Sequence, residues 1–327
     1  MKKLKVDTQI VIKKSIDSVL RMTPYTKRIL EHRTNFVPPG HYYSPIPDEA
    51  LVDKIAANPL QKKRELPAID MNEKEQLALL EHFKEYYKEI PFTTEPSEEY
   101  RYYYDNIMFS YSDAIFLFGM LRHFQPKKVI EVGSGFSSAV ILDTNQHFLN
   151  NQIECTFIEP YTERLMELIR DEDEGNLKVN IVQDFVQNVP VSEFQKLEEN
   201  DICFIDSSHV AKLQSDVCYL IFEVLPALKK GVIVHIHDVF NQFEYPIGWF
   251  KRGSAWNEAY LLRAFLQYND AFKIIAFNSY LEDFHEDWFK EHMPLCLELH
   301  EKVENVYGEV EKLLPNRGQS IWLKKVK

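Results

Sequence analysis

Apolar and polar positions alternate in blocks along the last two thirds of the chain. From about residue 120 onward, short apolar runs of strand length are followed by segments with helical periodicity. Strands that alternate with helices indicate a mostly parallel sheet with helices on both faces. The predicted strands are 128–132, 154–159, 177–182, 201–206, 231–237, 272–277 and 320–326. The helical segments between them are 137–148, 161–172, 215–230 and 256–269.

The first 110 residues do not follow this alternation. A segment rich in proline and aromatic residues, 35–50, precedes an amphipathic helix that we predict at 72–90. Asn72 and Glu75 are placed as a helix start. A second predicted helix, 112–124, leads into the first strand.

This difference in pattern suggests two parts. We expect residues 1–110 to form a cap of helices and loops packed on the core, and residues 111–327 to form the main domain. Residues 281–318 are predicted to be an irregular, acidic insertion before the last strand.

The segment 127–140 carries the clearest chemical signal. An apolar strand with Glu131 near its end runs into Gly133-Ser134-Gly135 and then into a helix. Glycine lets the backbone approach a ligand closely, and the first N–H groups of the helix point into the same crevice. The pattern predicts a nucleotide-like ligand, with a tight turn that binds nothing as the alternative.

Carboxylates also follow the second and third predicted strands. Glu159 lies just past the second strand, where a carboxylate can accept both hydroxyls of a ribose. The alternative is that it starts the next helix. Asp184, after the third strand, is a candidate for contact with an adenine or is simply a loop carboxylate.

The fourth and fifth predicted strands bring acids and imidazoles to one edge of the sheet. Asp206 ends the fourth strand with His209 close behind it, and His237 and Asp238 end the fifth. Two carboxylates with one or two imidazoles suit a divalent cation, and a hydroxyl bound to that cation loses its proton more easily. His209 is suited to act as a general base. We expect His235, two residues before His237 on the strand, to be a hydrogen-bonded core histidine. The alternative role for Asp206 and Asp238 is to stabilise loops by hydrogen bonds.

Composition narrows the class of protein. The 327 residues include 22 Phe and 17 Tyr, which suggests a well-packed core, and the net charge of −12 argues against broad binding to nucleic acid. The four cysteines are scattered, the first 20 residues lack the features of a signal peptide, and no apolar run is long enough for a membrane span. We expect a cytoplasmic protein without membrane or nucleic-acid partners.

The run Glu131 to Ser137, E-V-G-S-G-F-S, resembles the first motif of class I S-adenosylmethionine (AdoMet)-dependent methyltransferases, (D/E)xGxGxG, with Ser137 in place of the third glycine. The D-x-S-H-V run at Asp206, followed by an acid at Asp238, is similar to the macrocin O-methyltransferase group, which acts on macrolide sugars, and to cephalosporin-hydroxylase-like proteins. The resemblance covers about residues 105–280. Those relatives often have a carboxylate where this chain has His237.

The resemblance implies a fold and a set of roles. The fold would be Rossmann-like, with a seven-stranded, mostly parallel sheet whose last strand is antiparallel. The cofactor would be AdoMet, held by the residues of the glycine loop and the strand ends, and a divalent cation such as magnesium or manganese would be bound nearby. The expected cofactor-binding residues are Glu131, Gly133, Ser134, Gly135, Ser137, Glu159, Asp184 and Asp206. The expected metal ligands are Asp206, His237 and Asp238, and the expected base is His209.

The predicted reaction is O-methylation of a small hydroxylated metabolite. A hydroxylase-like relative and a protein that binds AdoMet without catalysis are alternatives within the same fold. An NAD-dependent oxidoreductase is disfavoured because Ser138 stands where the dinucleotide fingerprint has its third glycine. The segments 38–45 and 248–266 are candidates to border the acceptor pocket or are only packing. The acceptor stays unidentified, and a homo-oligomer stays open.

Overall fold

The computed structural model describes residues 37, 39–59, 61–106, 108–109, 111–170, 178–298, 303–304, 310–311 and 318–327. The segment that we tested for a signal peptide lies outside the described residues, as do parts of the segments 35–50 and 281–318. The chain divides into two compact units, the described part of Met1–Leu60 with Ile247–Ala255, and Gln61–Pro246 with Trp256–Lys327. The division at residue 110 stays a prediction.

The second unit contains all nine strands and most of the helices that the structure describes. The helices of the chain are α1 (Glu49–Ala57), α2 (Glu73–Tyr87), α3 (Tyr111–Phe124), α4 (Phe136–Phe148), α5 (Glu163–Leu168), α6 (Val191–Phe194), α7 (Asp216–Tyr219), α8 (Leu225–Ala227), α9 (Ile247–Arg252), α10 (Glu258–Leu266), α11 (Asn278–Phe284) and α12 (Glu286–His292). A π-helical turn, Leu220–Val224, joins α7 to α8, and 3₁₀ turns lie at Val186–Asn188, Asn241–Phe243 and Pro294–Leu297. The strands are β1 (Lys128–Val132), β2 (Glu154–Ile158), β3 (Lys178–Val182), β4 (Ile202–Ile205), β5 (Ile233–Ile236), β6 (Phe272–Phe277), β7 (Val303–Glu304), β8 (Val310–Glu311) and β9 (Ile321–Lys325).

Seven of these strands form one sheet in the order β3-β2-β1-β4-β5-β9-β6. The first five strands in this order pair in parallel, and β9 pairs antiparallel with both β5 and β6. The predicted Rossmann-like sheet with an antiparallel last strand is therefore confirmed. The strand order reverses between β1 and β4, because β2 and β3 lie on one side of β1 and β4 and β5 lie on the other. Open α/β sheets bind ligands at such a point.

The strand bounds follow the apolar runs closely because buried parallel strands are apolar on both faces. Every residue of β4 and β5 is buried. The prediction of an irregular segment at 281–318 was wrong at its start, since α12 and the end of α11 lie there. Phe289 of α12 is fully buried, so these short helices are held by packing of an apolar side chain rather than by helix length.

Helix α3 is apolar on nearly all sides because other elements surround it. Residues 112–121 are all buried, and α3 packs against α2 and α4. Gly119 makes the close approach to α2 possible, since a Cβ at that position would lie 2.9 Å from Cγ of Phe83. Among the described residues, no helix has the length and apolar character needed to cross a membrane.

His235 lies in the core of the sheet, as expected, but without the expected hydrogen bonds. Its ring stacks on Phe204 with centroids 3.8 Å apart and contacts Trp322 at 4.5 Å. Neither ring nitrogen has a hydrogen-bond partner within the described part of the chain. Burial holds the pKa of His235 well below its ordinary value, so the ring packs as a neutral aromatic group.

A buried ion pair fixes the segment before α3 to helix α4. Asp143 on α4 is fully buried, and its carboxylate accepts hydrogen bonds from the backbone N–H groups of Arg101 and Tyr102 at 2.8 and 2.9 Å. The Arg101 guanidinium donates to the same carboxylate at 2.7 Å. One side chain therefore satisfies three donors in a place that water does not reach.

We expect Asp143→Asn to lower the free energy of unfolding by about 3–5 kcal/mol, because it removes the buried partner charge of Arg101. Urea unfolding at neutral pH measures the change. Glu85→Gln is the matched control, since it removes the same charge from an exposed pair with Lys88 and should leave the midpoint unchanged. Equal midpoints for Asp143→Asn and the parent protein would contradict this account of the segment.

Candidate active site

The glycine loop lies directly against the end of β4. Gly133 has φ +81°, and a Cβ there would lie 1.8 Å from the backbone carbonyl oxygen of Asp206. Any other residue at this position would clash with the backbone of the neighbouring strand end. At Gly135 a Cβ would lie 3.2 Å from Cδ of Arg164. The two glycines therefore serve close packing around the crevice in addition to the approach of a ligand that the sequence suggested.

Glu131 lies fully buried beneath this loop. Its Oε2 accepts a hydrogen bond from the Ser138 hydroxyl, and Ser138 Oγ in turn accepts from the N–H of Gly135 at 3.0 Å. Burial raises the pKa of the Glu131 carboxyl to about 8, although nearby serine hydroxyls act to lower it. Glu131 Oε1 and Ser134 Oγ are buried and have no partner among the described residues. Such orphaned atoms are the kind that a bound ligand satisfies.

The carboxylate of Glu159 holds the loop from the side of β2. Its Oε2 accepts from the N–H of Ser134 at 3.1 Å, and its Oε1 accepts from the N–H of Tyr161 at 2.8 Å. Each oxygen keeps a further lone pair for a ligand hydroxyl. Glu159 and the glycine loop are therefore brought together, as the sequence predicted, while the contact with a ribose stays a prediction.

Asp184 is exposed at the end of β3 and closes a local turn. Its Oδ1 accepts from the N–H of Phe185 and from the side-chain amide of Asn188, both at 2.7 Å. Phe185 is 51 % exposed and meets Tyr161, which is 69 % exposed, with ring centroids 6.4 Å apart. Two exposed aromatic rings at neighbouring strand ends were not singled out from the sequence.

The ends of β4 and β5 and the start of α10 together place four side chains around one imidazole. Nε2 of His209 lies 3.4 Å from Oδ1 of Asp206 and 3.2 Å from Oδ2 of Asp238. On the other side of the ring, Nδ1 lies 2.9 Å from Oε2 of Glu258, which is buried. The ring also packs against Trp256, with centroids 4.4 Å apart and the two planes tilted by 37°. His209 is thus held from both nitrogens and from one face.

The backbone at this cluster adopts an uncommon conformation. His209 has φ +59° and Asp238 has φ +56°, so both lie in the left-handed region that favours glycine. The N–H groups of Asn257 and Glu258 donate to the His209 carbonyl at 3.1 and 3.2 Å, which fixes the turn to the start of α10.

The charges in the cluster shift one another's pKa values. Burial alone would lower the pKa of His209, but hydrogen bonds to Asp206 and Glu258, with the charge of Asp238, raise it well above its ordinary value. Burial acts to raise the pKa of Asp206, yet the charge of His237 and the hydrogen bond with His209 bring it below its ordinary value. Burial raises the pKa of Asp238 despite the same two histidines.

His237 occupies a different position from the one the sequence suggested. Its Nδ1 lies 3.4 Å from the hydroxyl of Ser320, which donates to the buried carboxylate of Asp113, and its Nε2 lies 3.8 Å from Oδ1 of Asp238. The group whose donor atoms all lie within 4.8 Å of one another is Asp206, His209 and Asp238. In this geometry His209 rather than His237 completes the candidate metal group, and His237 as a ligand stays a prediction.

Glu258 lies in the segment 248–266 that the sequence singled out beside the crevice, but its contact with His209 was not predicted. It stands at the first position of α10, where an acid is common for helix capping, and that local role concealed its contact with His209. The segments 38–45 and 248–255 lie in the other compact unit, so their role at an acceptor pocket also stays a prediction.

Residues 130–239 match the sequence model of a family described as a methyltransferase domain. This range spans the glycine loop and the ends of β4 and β5. An uncharacterised protein of Archaeoglobus fulgidus is 36 % identical over 171 residues, which are 50 % of this chain and 75 % of that protein.

The chain belongs to this methyltransferase family. The recognition of a class I AdoMet-dependent methyltransferase is thereby confirmed for family and fold, and the macrocin-like subgroup stays a prediction.

Two solved methyltransferases resemble the chain along most of its length. The Podospora anserina methyltransferase PaMTH1, bound to S-adenosylhomocysteine, is 14 % identical, covers 86 % of this chain and 97 % of its own, and has a TM-score of 0.40. The O-methyltransferase TomG of Streptomyces achromogenes, in complex with AdoMet, is 10 % identical, covers 85 % of this chain and 96 % of its own, and also scores 0.40.

The raised pKa of Glu131 predicts that the free energy of unfolding depends on pH, and a substitution of Glu131 tests this. A carboxyl that ionises near 4.5 when unfolded and near 8 when folded stabilises the fold below pH 4.5, and this contribution is lost as the pH rises through 8. We therefore expect Glu131→Gln to gain stability relative to the parent protein between about pH 5 and 8, with no further gain above. Urea unfolding of both proteins across this range measures the difference. A constant difference would contradict the burial of an uncharged Glu131.

Proposed function

We propose that this methyltransferase transfers the methyl group of AdoMet to a hydroxyl oxygen of a small molecule, with His209 as the group that accepts the hydroxyl proton. One observation carries the proposal, namely that Asp206 takes part in both halves of the site. Its backbone carbonyl packs on Gly133 of the cofactor loop, and its carboxylate lies 3.4 Å from the imidazole of His209. The cofactor loop and the imidazole therefore meet at one residue.

The residues around the glycine loop fit AdoMet. The ligand supplies an electrophilic methyl group on a sulfonium, and the protein has to hold its amino acid end, its ribose and its adenine. The buried acceptor Glu131 Oε1 suits the ammonium group, Glu159 suits the ribose hydroxyls, and the exposed rings of Tyr161 and Phe185 offer faces for the adenine. Gly133, Ser134, Gly135 and Ser137 form the turn between these groups.

Glu258 supports the role of His209 as a base. A carboxylate 2.9 Å from Nδ1 favours the tautomer in which Nδ1 carries the proton and donates it in a hydrogen bond. In this tautomer the lone pair of Nε2 faces the side of Asp206 and Asp238, where it can take the proton of an acceptor hydroxyl. Because the surrounding acids raise the pKa of His209 well above its ordinary value, the ring acts as a base only after it has lost its own proton, and methyl transfer should become faster as the pH rises. The arrangement follows the logic of a base oriented by a buried acid.

A divalent cation fits the same cluster. Two carboxylate oxygens and one imidazole nitrogen lie within 4.8 Å of one another at Asp206, Asp238 and His209. This mixed set suits a borderline cation such as manganese as well as magnesium. In this second role Nε2 of His209 would bind the cation, and Glu258 would orient the ring from behind. The cation would lower the pKa of a hydroxyl bound to it.

Transfer of a radioactive methyl group from labelled AdoMet to a panel of hydroxylated small molecules tests the proposal directly. We expect methylated products from hydroxyl acceptors and binding of AdoMet, but not of NAD, in calorimetry. Binding of NAD without binding of AdoMet would overturn the proposal. Binding of AdoMet without turnover of any acceptor would favour the non-catalytic alternative.

His209→Gln should slow methyl transfer by about 10²- to 10⁴-fold, because it removes the group that takes the proton. Glu258→Gln should slow it less, by about tenfold, because the amide oxygen can still accept from Nδ1–H. Glu244→Gln is the matched control, since it removes the same charge from an exposed carboxylate that accepts from the Tyr260 hydroxyl. Single-turnover rates at saturating AdoMet measure the three effects. An unaltered rate in His209→Gln would remove the base from the mechanism.

Thermal unfolding tests the cation. Magnesium or manganese at about 100 times its Kd should raise the midpoint of the parent protein by about 5 °C or more. Asp238→Asn should abolish this shift, and asparagine tolerates the left-handed backbone at that position. Loss of the shift in His209→Gln as well would make His209 a ligand, whereas its retention would leave His209 free to act as a base. Asp270→Asn, which removes an exposed carboxylate paired with Lys327, is the control. If neither ion moves the parent midpoint, the cation has no place in the site.

A further inference from the structure

Arg164 lies across the glycine loop although it belongs to helix α5. Its Cδ is 3.2 Å and its Nη1 is 3.9 Å from the position that a Cβ on Gly135 would take. The side chain therefore runs over the loop at the point where α4 begins, and the absence of a side chain at Gly135 makes room for it. No sequence motif pointed to Arg164, because it lies on helix α5 and not at a strand end or in the glycine loop.

The guanidinium of Arg164 is also unpaired within the described part of the chain. Every other arginine whose side chain the structure describes makes a hydrogen bond or ion pair with protein. These are Arg64 with Glu73, Arg101 with Asp143, Arg122 with Glu89, Arg170 with the carbonyl of Glu99, and Arg263 with the carbonyl of Gln242. Arg164 instead keeps its five N–H donors for solvent or a ligand while it lies beside the crevice.

The charges around the crevice suggest a role for the Arg164 guanidinium. Five carboxyl groups lie around the crevice, those of Glu131, Glu159, Asp206, Asp238 and Glu258, together with the imidazoles of His209 and His237. A ligand that carries a carboxylate would be repelled there unless a cation stood beside it.

AdoMet carries a single carboxylate, at the end of its methionine part. The planar fork of a guanidinium matches a carboxylate with two parallel hydrogen bonds, which an ammonium group does not do as well. Glu131 at the base of the loop suits the ammonium group of the same methionine part, so an arginine above the loop would complete the recognition of both charged groups.

We propose that Arg164 binds the carboxylate of the methionine part of AdoMet and so distinguishes this cofactor from nucleosides that lack an amino acid end. The inference rests on the proposed use of AdoMet and goes beyond it by assigning the carboxylate to one residue. It predicts that the energetic effect of Arg164 depends on whether the ligand has a carboxylate.

Calorimetry with AdoMet and decarboxylated AdoMet tests this coupling without any acceptor substrate. The two ligands share the adenine, ribose, sulfonium and amine and differ in the carboxylate alone. Arg164→Gln should weaken the binding of AdoMet by about tenfold or more and change the binding of decarboxylated AdoMet by less than about threefold. Arg164→Lys, which keeps the charge but loses the fork, should fall between Arg164→Gln and the parent protein for AdoMet.

Arg170→Gln is the matched control, because it removes the same charge six positions away and should leave both affinities unchanged. Arg164 is exposed, so we expect its replacement to leave the fold intact, and equal thermal midpoints of the variants verify this. If Arg164→Gln weakens the binding of both ligands equally, Arg164 contacts the nucleoside or supports the loop, and the inference is overturned. No change in the binding of either ligand would also overturn it. If the parent protein binds neither ligand, the proposed cofactor itself fails, which is a separate result from these two.

Discussion

The contact between Gly133 and the backbone carbonyl of Asp206 is the constraint on which the rest of the site depends. It brings the loop after β1 to the end of β4 more closely than any side chain at 133 would allow. Main-chain hydrogen bonds continue the same line, since Asp206 N–H donates to the Val132 carbonyl at 2.8 Å and His237 N–H donates to the Ile205 carbonyl at 2.9 Å. Three neighbouring strand ends are therefore aligned by backbone alone, and their side chains are delivered to one crevice.

Buried carboxylates stand behind the groups that face this crevice. Glu258 contacts His209, Asp113 reaches His237 through the Ser320 hydroxyl, and Glu131 supports the glycine loop through Ser138. Each acid is removed from water, so its hydrogen bonds act in a medium of low polarity, where they are strong and leave few alternative geometries. The orientation of the groups that face the crevice is thus determined by buried acids behind them.

The sequence predicted the sheet well and the site only in part. Strands depend on local patterns of apolar residues, whereas parts of the site depend on contacts between residues far apart in the sequence. A strand such as β4 is visible because burial on both faces leaves an unbroken apolar run. The glycine loop, Asp206, His209 and Asp238 were found because parallel strands must end at the same edge. The contact of Glu258 with His209 and the position of Arg164 over the glycine loop were not predicted, because each side chain comes from a neighbouring helix and the local sequence does not indicate a long-range contact.

Two expectations failed for a related reason. His235 was expected to be hydrogen-bonded because buried polar groups usually are, but its place between Phe204 and Trp322 offers ring faces rather than donors or acceptors. The segment at 281–318 looked irregular because α11 and α12 are short, with helical order supplied by tertiary packing.

The left-handed backbone at His209 and Asp238 has a consequence for how this protein can change over time. A residue with a Cβ is held in that conformation at a cost of about 1–2 kcal/mol, which glycine would not incur. Selection for thermal resistance alone would therefore favour the loss of these two side chains. If both residues serve the proposed reaction, the demands of that reaction and of a stable fold favour different residues at these two positions.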